Sequence, residues 1–123
     1  AACAKHFAVH SGPEALRHEF DAEASAKDME ETYLPAFEGL VKEAKVEAVM
    51  GAYNRTNGEP CCGSPTLQKK LRGEWKFQGH FVSDCWAIRD FHEHHMVTDT
   101  AVESAALAIN NGCDLNCGNI FTL

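Results

Sequence analysis

Apolar residues along the chain alternate between two periods, and the changes of period mark out a series of strands and helices. Residues Cys3 to Val9, with Phe7 and Val9 as the heavier apolar members, predict a first strand that Ser11-Gly12-Pro13 ends. The polar stretch from Glu14 to Phe20 predicts a loop with at most one helical turn. From Ser25, apolar positions at Met29, Thr32, Tyr33, Ala36, Phe37, Leu40 and Val41 recur at three- and four-residue steps, one face of a helix. Pro35 lies inside that pattern and marks a kink or a late start. Val46 to Tyr53 predicts a second strand, and Asn54 to Pro60 a loop dense in turn formers. Ser64-Pro65 suits a cap followed by proline at the first helical position, with Leu67, Leu71 and Trp75 as the apolar stripe. Phe81 to Asp84 predicts a third strand, and Trp86 to His95 an aromatic, His-rich loop. A helix from Thr98-Asp99 would then use Ala101, Val102, Ala105, Ala106 and Ile109 and stop at Asn110-Asn111-Gly112. Cys113 to Gly118 predicts a short fourth strand.

Strands alternating with helices across short connections predict an α/β fold, a parallel sheet with helices outside it. About four strands with helices between them fit a small doubly wound domain, or about half of a (β/α)8 barrel, which takes about 250 residues. Polar residues at or near the strand ends favour the half-barrel: Lys5-His6, Tyr53 with Asn54-Arg55, Asp84, and Asp114 with Asn116 would meet on one rim. The expected organisation is a single partial barrel domain over residues 1–123.

A formal net charge of −7 argues against nucleic acid and against an anionic membrane surface. No apolar run approaches the roughly 20 residues of a spanning helix. Ala1 to Lys5 lacks the basic leader and apolar segment of a signal peptide, so the chain is expected to begin inside a structure. The six cysteines, Cys3, Cys61, Cys62, Cys85, Cys113 and Cys117, lack zinc-knuckle spacing. Most adjoin apolar residues, so buried thiols are the first expectation, with a disulfide or a metal site as alternatives.

Nucleotide-binding glycine loops and a G-x-S-x-G elbow are absent from the sequence. The run His92-Glu93-His94-His95 is not H-E-x-x-H and is expected to be a polar loop, although a metal-dependent hydrolase built on its histidines is a rival. Asn54-Arg55-Thr56 fits a glycosylation sequon. Asp84 at a strand end reads equally as a cap of the next segment or as a reactive carboxylate. A Lys inside a buried strand is costly unless paired or facing a ligand, which makes Lys5-His6 a holder of a polar substrate or a strand end at the surface. A carboxylate, a Lys-His pair, a Tyr and nearby aromatics suit sugar chemistry. Only one carboxyl group can be nominated for it.

The chain also resembles glycoside hydrolase family 3. The likeness is carried, in the family's order, by Lys5-His6-Phe7, Glu31 to Phe37, Val49 to Asn54, Gly58-Glu59-Pro60, Leu71 to Trp75 with Phe77-Gln78-Gly79, Val82 to Cys85, and Gly112 to Gly118. It is nearest the β-glucosidase and β-xylosidase branch. The resemblance implies the C-terminal half of the family's N-terminal (β/α)8 barrel, with Asp84 as the nucleophile of an exo-acting retaining β-glycosidase. It implies that Lys5 and His6 bind sugar hydroxyls and that Tyr53 lies close to the nucleophile. Cys85 stands where many relatives carry Trp, with Trp86 one step on as the substrate-side aromatic. The implied substrate is an oligosaccharide or other β-glycoside bearing terminal glucose or xylose, with no metal or organic cofactor. The implied setting is secreted or periplasmic. The general acid would come from a following α/β sandwich domain, so the chain alone is expected to be inactive. Its open sheet edges would favour a homodimer. The alternative is a non-catalytic carbohydrate-binding or structural α/β domain.

Overall fold

A computed structural model describes residues 1–122, with strands β1 (Cys3–Phe7), β2 (Asp21–Ala22), β3 (Ala48–Gly51), β4 (Arg55–Thr56), β5 (Glu59–Pro60) and β6 (His80–Ser83). Its α-helices are α1 (Ala26–Asp28), α2 (Pro35–Lys42), α3 (Pro65–Gln68), α4 (Asp90–Glu93) and α5 (Ala101–Asn110). The main sheet is three-stranded and parallel, in the order β1-β3-β6, with Ala48 to Gly51 paired residue for residue with His80 to Ser83. The predicted fourth strand shrinks to a single parallel bridge between Leu115 and Val82. At that point the N–H groups of Asp114 and Leu115 both donate to the Phe81 carbonyl, which breaks the regular ladder.

Helical segments pack beside this sheet through apolar side chains. Phe7, Val49, Phe81, Leu71, Ile88 and Phe91 are fully buried, and the Phe7 ring lies 5.0 Å from Phe37 and 5.9 Å from Trp75. The stripe Leu67, Leu71 and Trp75 is buried as its spacing predicts. Ser64 caps this helix, accepting the Leu67 N–H at 3.1 Å.

The first helical stretch shows how proline redirects a face. Ser25 caps it, and the Leu34 N–H reaches back five residues to the Met29 carbonyl, giving a wide π turn over Met29–Tyr33. Pro35 then opens α2, where its missing N–H has no helical partner to lose. The wide turn shifts the phase of the stripe. Leu34 and Val41 are buried, whereas Thr32 and Ala36, placed on the apolar face by simple periodicity, point outward.

Two further expectations need correction. The Trp86–His95 loop is instead a 3-10 turn over Ala87–Arg89 followed by α4, because Ala87, Ile88 and Phe91 are anchored in the core. On α5 the predicted face is partly reversed: Ser104 and Ala108 are buried, while Val102 and Ile109 are 64% and 53% exposed. Apolar residues line most of that helix, so its inward side is chosen by Ser104, which bonds His92 and Thr98. The small sheet of β2, β4 and β5 was not foreseen. It ties the Asn54–Pro60 loop, a β4–β5 hairpin, to Asp21–Ala22.

Truncating Phe81, at the centre of β6, to alanine should cost about 3–5 kcal/mol. Urea unfolding should show a lowered midpoint with an unchanged slope.

Candidate functional site

Because β1, β3 and β6 are parallel, their C-terminal ends open on one side, and the residues that follow them converge there. Asp84 directly follows β6. One of its oxygens accepts the Cys85 N–H at 2.7 Å, and the other lies 3.4 Å from His6 Nε2 on β1. The Asp84 side chain is 14% exposed and that of His6 28%, so both reach solvent without lying in it. Burial holds the His6 pKa below its ordinary value, partly offset by the charge of Asp84. Tyr53, after β3, has its pKa raised by burial first and by the Asp84 charge second, so its phenol stays protonated and able to donate. Lys5 is exposed and makes no ion pair among the described residues. His6 therefore meets Asp84, and Tyr53 lies close enough for the Asp84 charge to act on its phenol, while Lys5 is the residue before His6 on β1.

Trp86 sits at φ 68°, the left-handed region, and its N–H donates to the Cys117 carbonyl at 2.7 Å. Its ring lies over Gly118, where a Cβ would come within 3.1 Å of the indole. The indole is 46% exposed, and the Arg89 guanidinium lies 5.5 Å from its centre.

Beside Asp84 the cysteine expectation changes. Cys85 and Cys117 form a disulfide across 32 residues of sequence, which replaces the first expectation of buried thiols for that pair. Ser83 Oγ accepts the Cys117 N–H at 3.0 Å, so the two segments are tied at adjacent points. Cys61, Cys62 and Cys113 remain buried thiols whose pKa values burial raises, to about 11 for Cys61 and Cys113.

Three rim assignments fail. Asp114 lies at the opposite end of β6, accepting the Phe81 N–H at 2.8 Å and pairing with Arg72 at 2.6 Å. Asn54 is fully buried, donating to the Val9 and Arg55 carbonyls, and as folded it cannot take a glycan. Arg55 belongs to the hairpin and donates to the Glu19 carbonyl. The histidines of the 92–95 run diverge: His92 bonds Ser104, His94 bonds Asp90, and His95 is buried without a partner. Among the described residues no group of three or more ligands is placed to hold a metal.

The residues that sequence reasoning missed are Arg17, His18 and Asp90; His94, weighed there only as a metal ligand, instead bonds Asp90. Asp90 is only 3% exposed, and its two oxygens accept His18 Nδ1 and His94 Nδ1, each at 2.8 Å. The His18 ring lies 4.3 Å from the Tyr53 ring. Nothing in the pattern signals this contact, because 72 residues separate His18 from Asp90.

Residues 1–118 match the glycosyl hydrolase family 3 N terminal domain. The chain is 52% identical over 119 residues to a xylan 1,4-beta-xylosidase of Xylanibacter ruminicola, covering 95% of this chain and 14% of that protein. It is 47% identical over 128 residues to a probable exo-1,4-beta-xylosidase of Aspergillus clavatus, covering 98% and 17%. Among solved structures it resembles a GH3 exo-beta-xylosidase bound to a xylobiose aziridine probe, with TM-score 0.91, 27% identity, and coverage of 97% and 16%. It also resembles a beta-glucosidase from Listeria innocua in complex with glucose, with TM-score 0.88, 29% identity, and coverage of 99% and 17%. The chain thus spans only a small part of the relatives it matches.

His95 yields a pH test. Burial, with the Arg55 charge adding to it, lowers the His95 pKa from 6.5 to about 4. The unfolded chain therefore takes up this proton before the folded one does. The stability tied to neutral His95 is complete above about pH 6.5 and drains away as the pH falls toward 4, by up to about 3 kcal/mol. His95→Leu should flatten that part of the stability–pH curve, as followed by chemical denaturation. An unchanged slope would assign the dependence to other groups.

Proposed function

The chain belongs to glycosyl hydrolase family 3, and on that premise we propose that it is the nucleophile-bearing half of the (β/α)8 barrel of an exo-acting retaining β-xylosidase. The observation that carries this is the convergence of Asp84, His6 and Tyr53 from three parallel strands, toward the C-terminal strand ends where such folds hold ligands. Residues 1–123 form one partial barrel domain in this proposal, completed by further chain of the same enzyme. The small share of its relatives that the chain covers supports completion in that way. No comparison supports the homodimer expected from the open sheet edges.

In the proposed mechanism a carboxylate oxygen of Asp84 attacks the anomeric carbon as the glycosidic bond breaks. The leaving oxygen takes a proton from an acid supplied elsewhere in the enzyme. Water then releases the sugar from Asp84 with overall retention. His6, neutral through burial, and the cationic Lys5 hydrogen-bond the sugar hydroxyls. Tyr53, kept protonated, donates toward Asp84 and steadies its charge. Trp86 offers an exposed aromatic face to the substrate. A retaining pair needs two carboxyl groups about 5–5.5 Å apart. The carboxylates near Trp86 are committed elsewhere, Asp90 to two histidines and Glu93 to Arg89. The names of the relatives favour terminal β-linked xylose over glucose. The likeness to a glucose-bound enzyme keeps a β-glucosidase as the second reading.

The complete enzyme should hydrolyse an aryl β-xyloside faster than the β-glucoside, with Asp84→Asn lowering kcat by at least about 10³-fold. The isolated chain should show no turnover. Labelling of Asp84 in the isolated chain by a fluoro-sugar would overturn its predicted inactivity, and full activity of Asp84→Asn would remove Asp84 as nucleophile.

A further inference from the structure

Tyr53 is gripped by two consecutive residues of the segment between β1 and β2. The Arg17 guanidinium lies 5.3 Å from the centre of its ring, and the His18 ring centre lies 4.3 Å away. These two side chains are bonded in series. Arg17 Nε donates to His18 Nε2 at 3.3 Å, which leaves Nδ1 as the N–H of the imidazole. That N–H donates to one oxygen of Asp90 at 2.8 Å, and His94 Nδ1 donates to the other at 2.8 Å. A carboxylate only 3% exposed is costly unless its oxygens are bonded, and these two histidines satisfy it. Asp90 opens α4, whose approach runs from Asp84 through Trp86. The series therefore links the segment before β2 to the segment leaving Asp84, and its Arg17 and His18 side chains pack against the Tyr53 ring. Asp90 and His18 also line a cavity of about 300 Å³ with Trp86, Arg89, Glu93 and His94, so the series borders open space.

We infer that Arg17, His18 and Asp90 form a positioning unit that orients the Tyr53 phenol toward Asp84 and so sets the rate at which Asp84 attacks. The inference rests on the function proposed above. Each bond in the series fixes the next group: Arg17 selects the His18 tautomer, Asp90 fixes the plane of its ring, and that ring limits the tilt of Tyr53. None of the three needs to touch substrate.

The test uses the complete enzyme and follows covalent labelling of Asp84 by a 2-deoxy-2-fluoro-xylosyl fluoride, separating the maximal rate from the half-saturating concentration. His18→Phe keeps a ring against Tyr53 and removes both nitrogens. It should lower the maximal rate about 10- to 100-fold while leaving half-saturation within about twofold. In a Tyr53→Phe background, adding His18→Phe should cost little more, because the phenol it orients is already gone. Arg17→Met alters a side chain 43% exposed, so it retains the fold even where His18→Phe does not, and it runs the same cycle. Full additivity with Tyr53→Phe, or unchanged maximal rates in the single variants, would overturn the inference while leaving the glycosidase function standing. Failure of the wild-type enzyme to be labelled at Asp84 would overturn that function and this inference with it.

Discussion

Parallel pairing of β1, β3 and β6 constrains everything else in the molecule. A parallel sheet releases all its chains at the same edge, so residues far apart in sequence leave neighbouring strands side by side. The pairing is tight where it matters. At Gly51, opposite Ser83, a Cβ would come within 2.8 Å of both Cys62 Sγ and the Phe81 ring, so only glycine lets β3 pack this closely. His6, Tyr53 and Asp84 inherit their proximity from that register.

The segment leaving β6 is the second determinant. On both sides of Asp84 the chain is tied to the Leu115–Cys117 segment, by the Ser83–Cys117 hydrogen bond before it and by the Cys85–Cys117 disulfide and the Trp86 N–H after it. Trp86 adopts its left-handed backbone within these ties and turns the chain into the Ala87–Arg89 helical turn. The carboxylate is therefore delivered at a point where the backbone is held on both sides. Such rigidity fits the nucleophile role proposed for Asp84, which requires close positioning.

Burial then sorts the ionisable residues by what they can do. Asp90, deep and doubly bonded, is spent on holding His18 and His94, whereas Asp84 stays partly open to solvent. His95 is buried and neutral, and His6 is half-open beside Asp84. Residues of the same type thus divide into structural and chemically accessible groups by depth alone.

Much of this was legible in the sequence. The strand–helix alternation, the Ser64 cap, the Leu67–Trp75 stripe and the placing of Asp84 at a strand end follow from local periodicity, because each depends on neighbours within a few residues. The meeting of His6 and Tyr53 with Asp84 was foreseeable for the same reason, once parallel strands had been inferred. Tertiary structure alone decided what depends on distant partners or on competition among equals. The inward side of α5 was chosen by Ser104, and the fourth strand failed through a doubled bond to Phe81. Cys85 and Cys117 paired because their backbones were brought within 4.3 Å. Asp114 was drawn to Arg72 at the far end of β6. The Arg17–His18–Asp90 series, which joins residues some seventy positions apart, has no periodic trace in the chain. Periodicity reports which side of an element is apolar, and only the packed fold decides which polar groups meet.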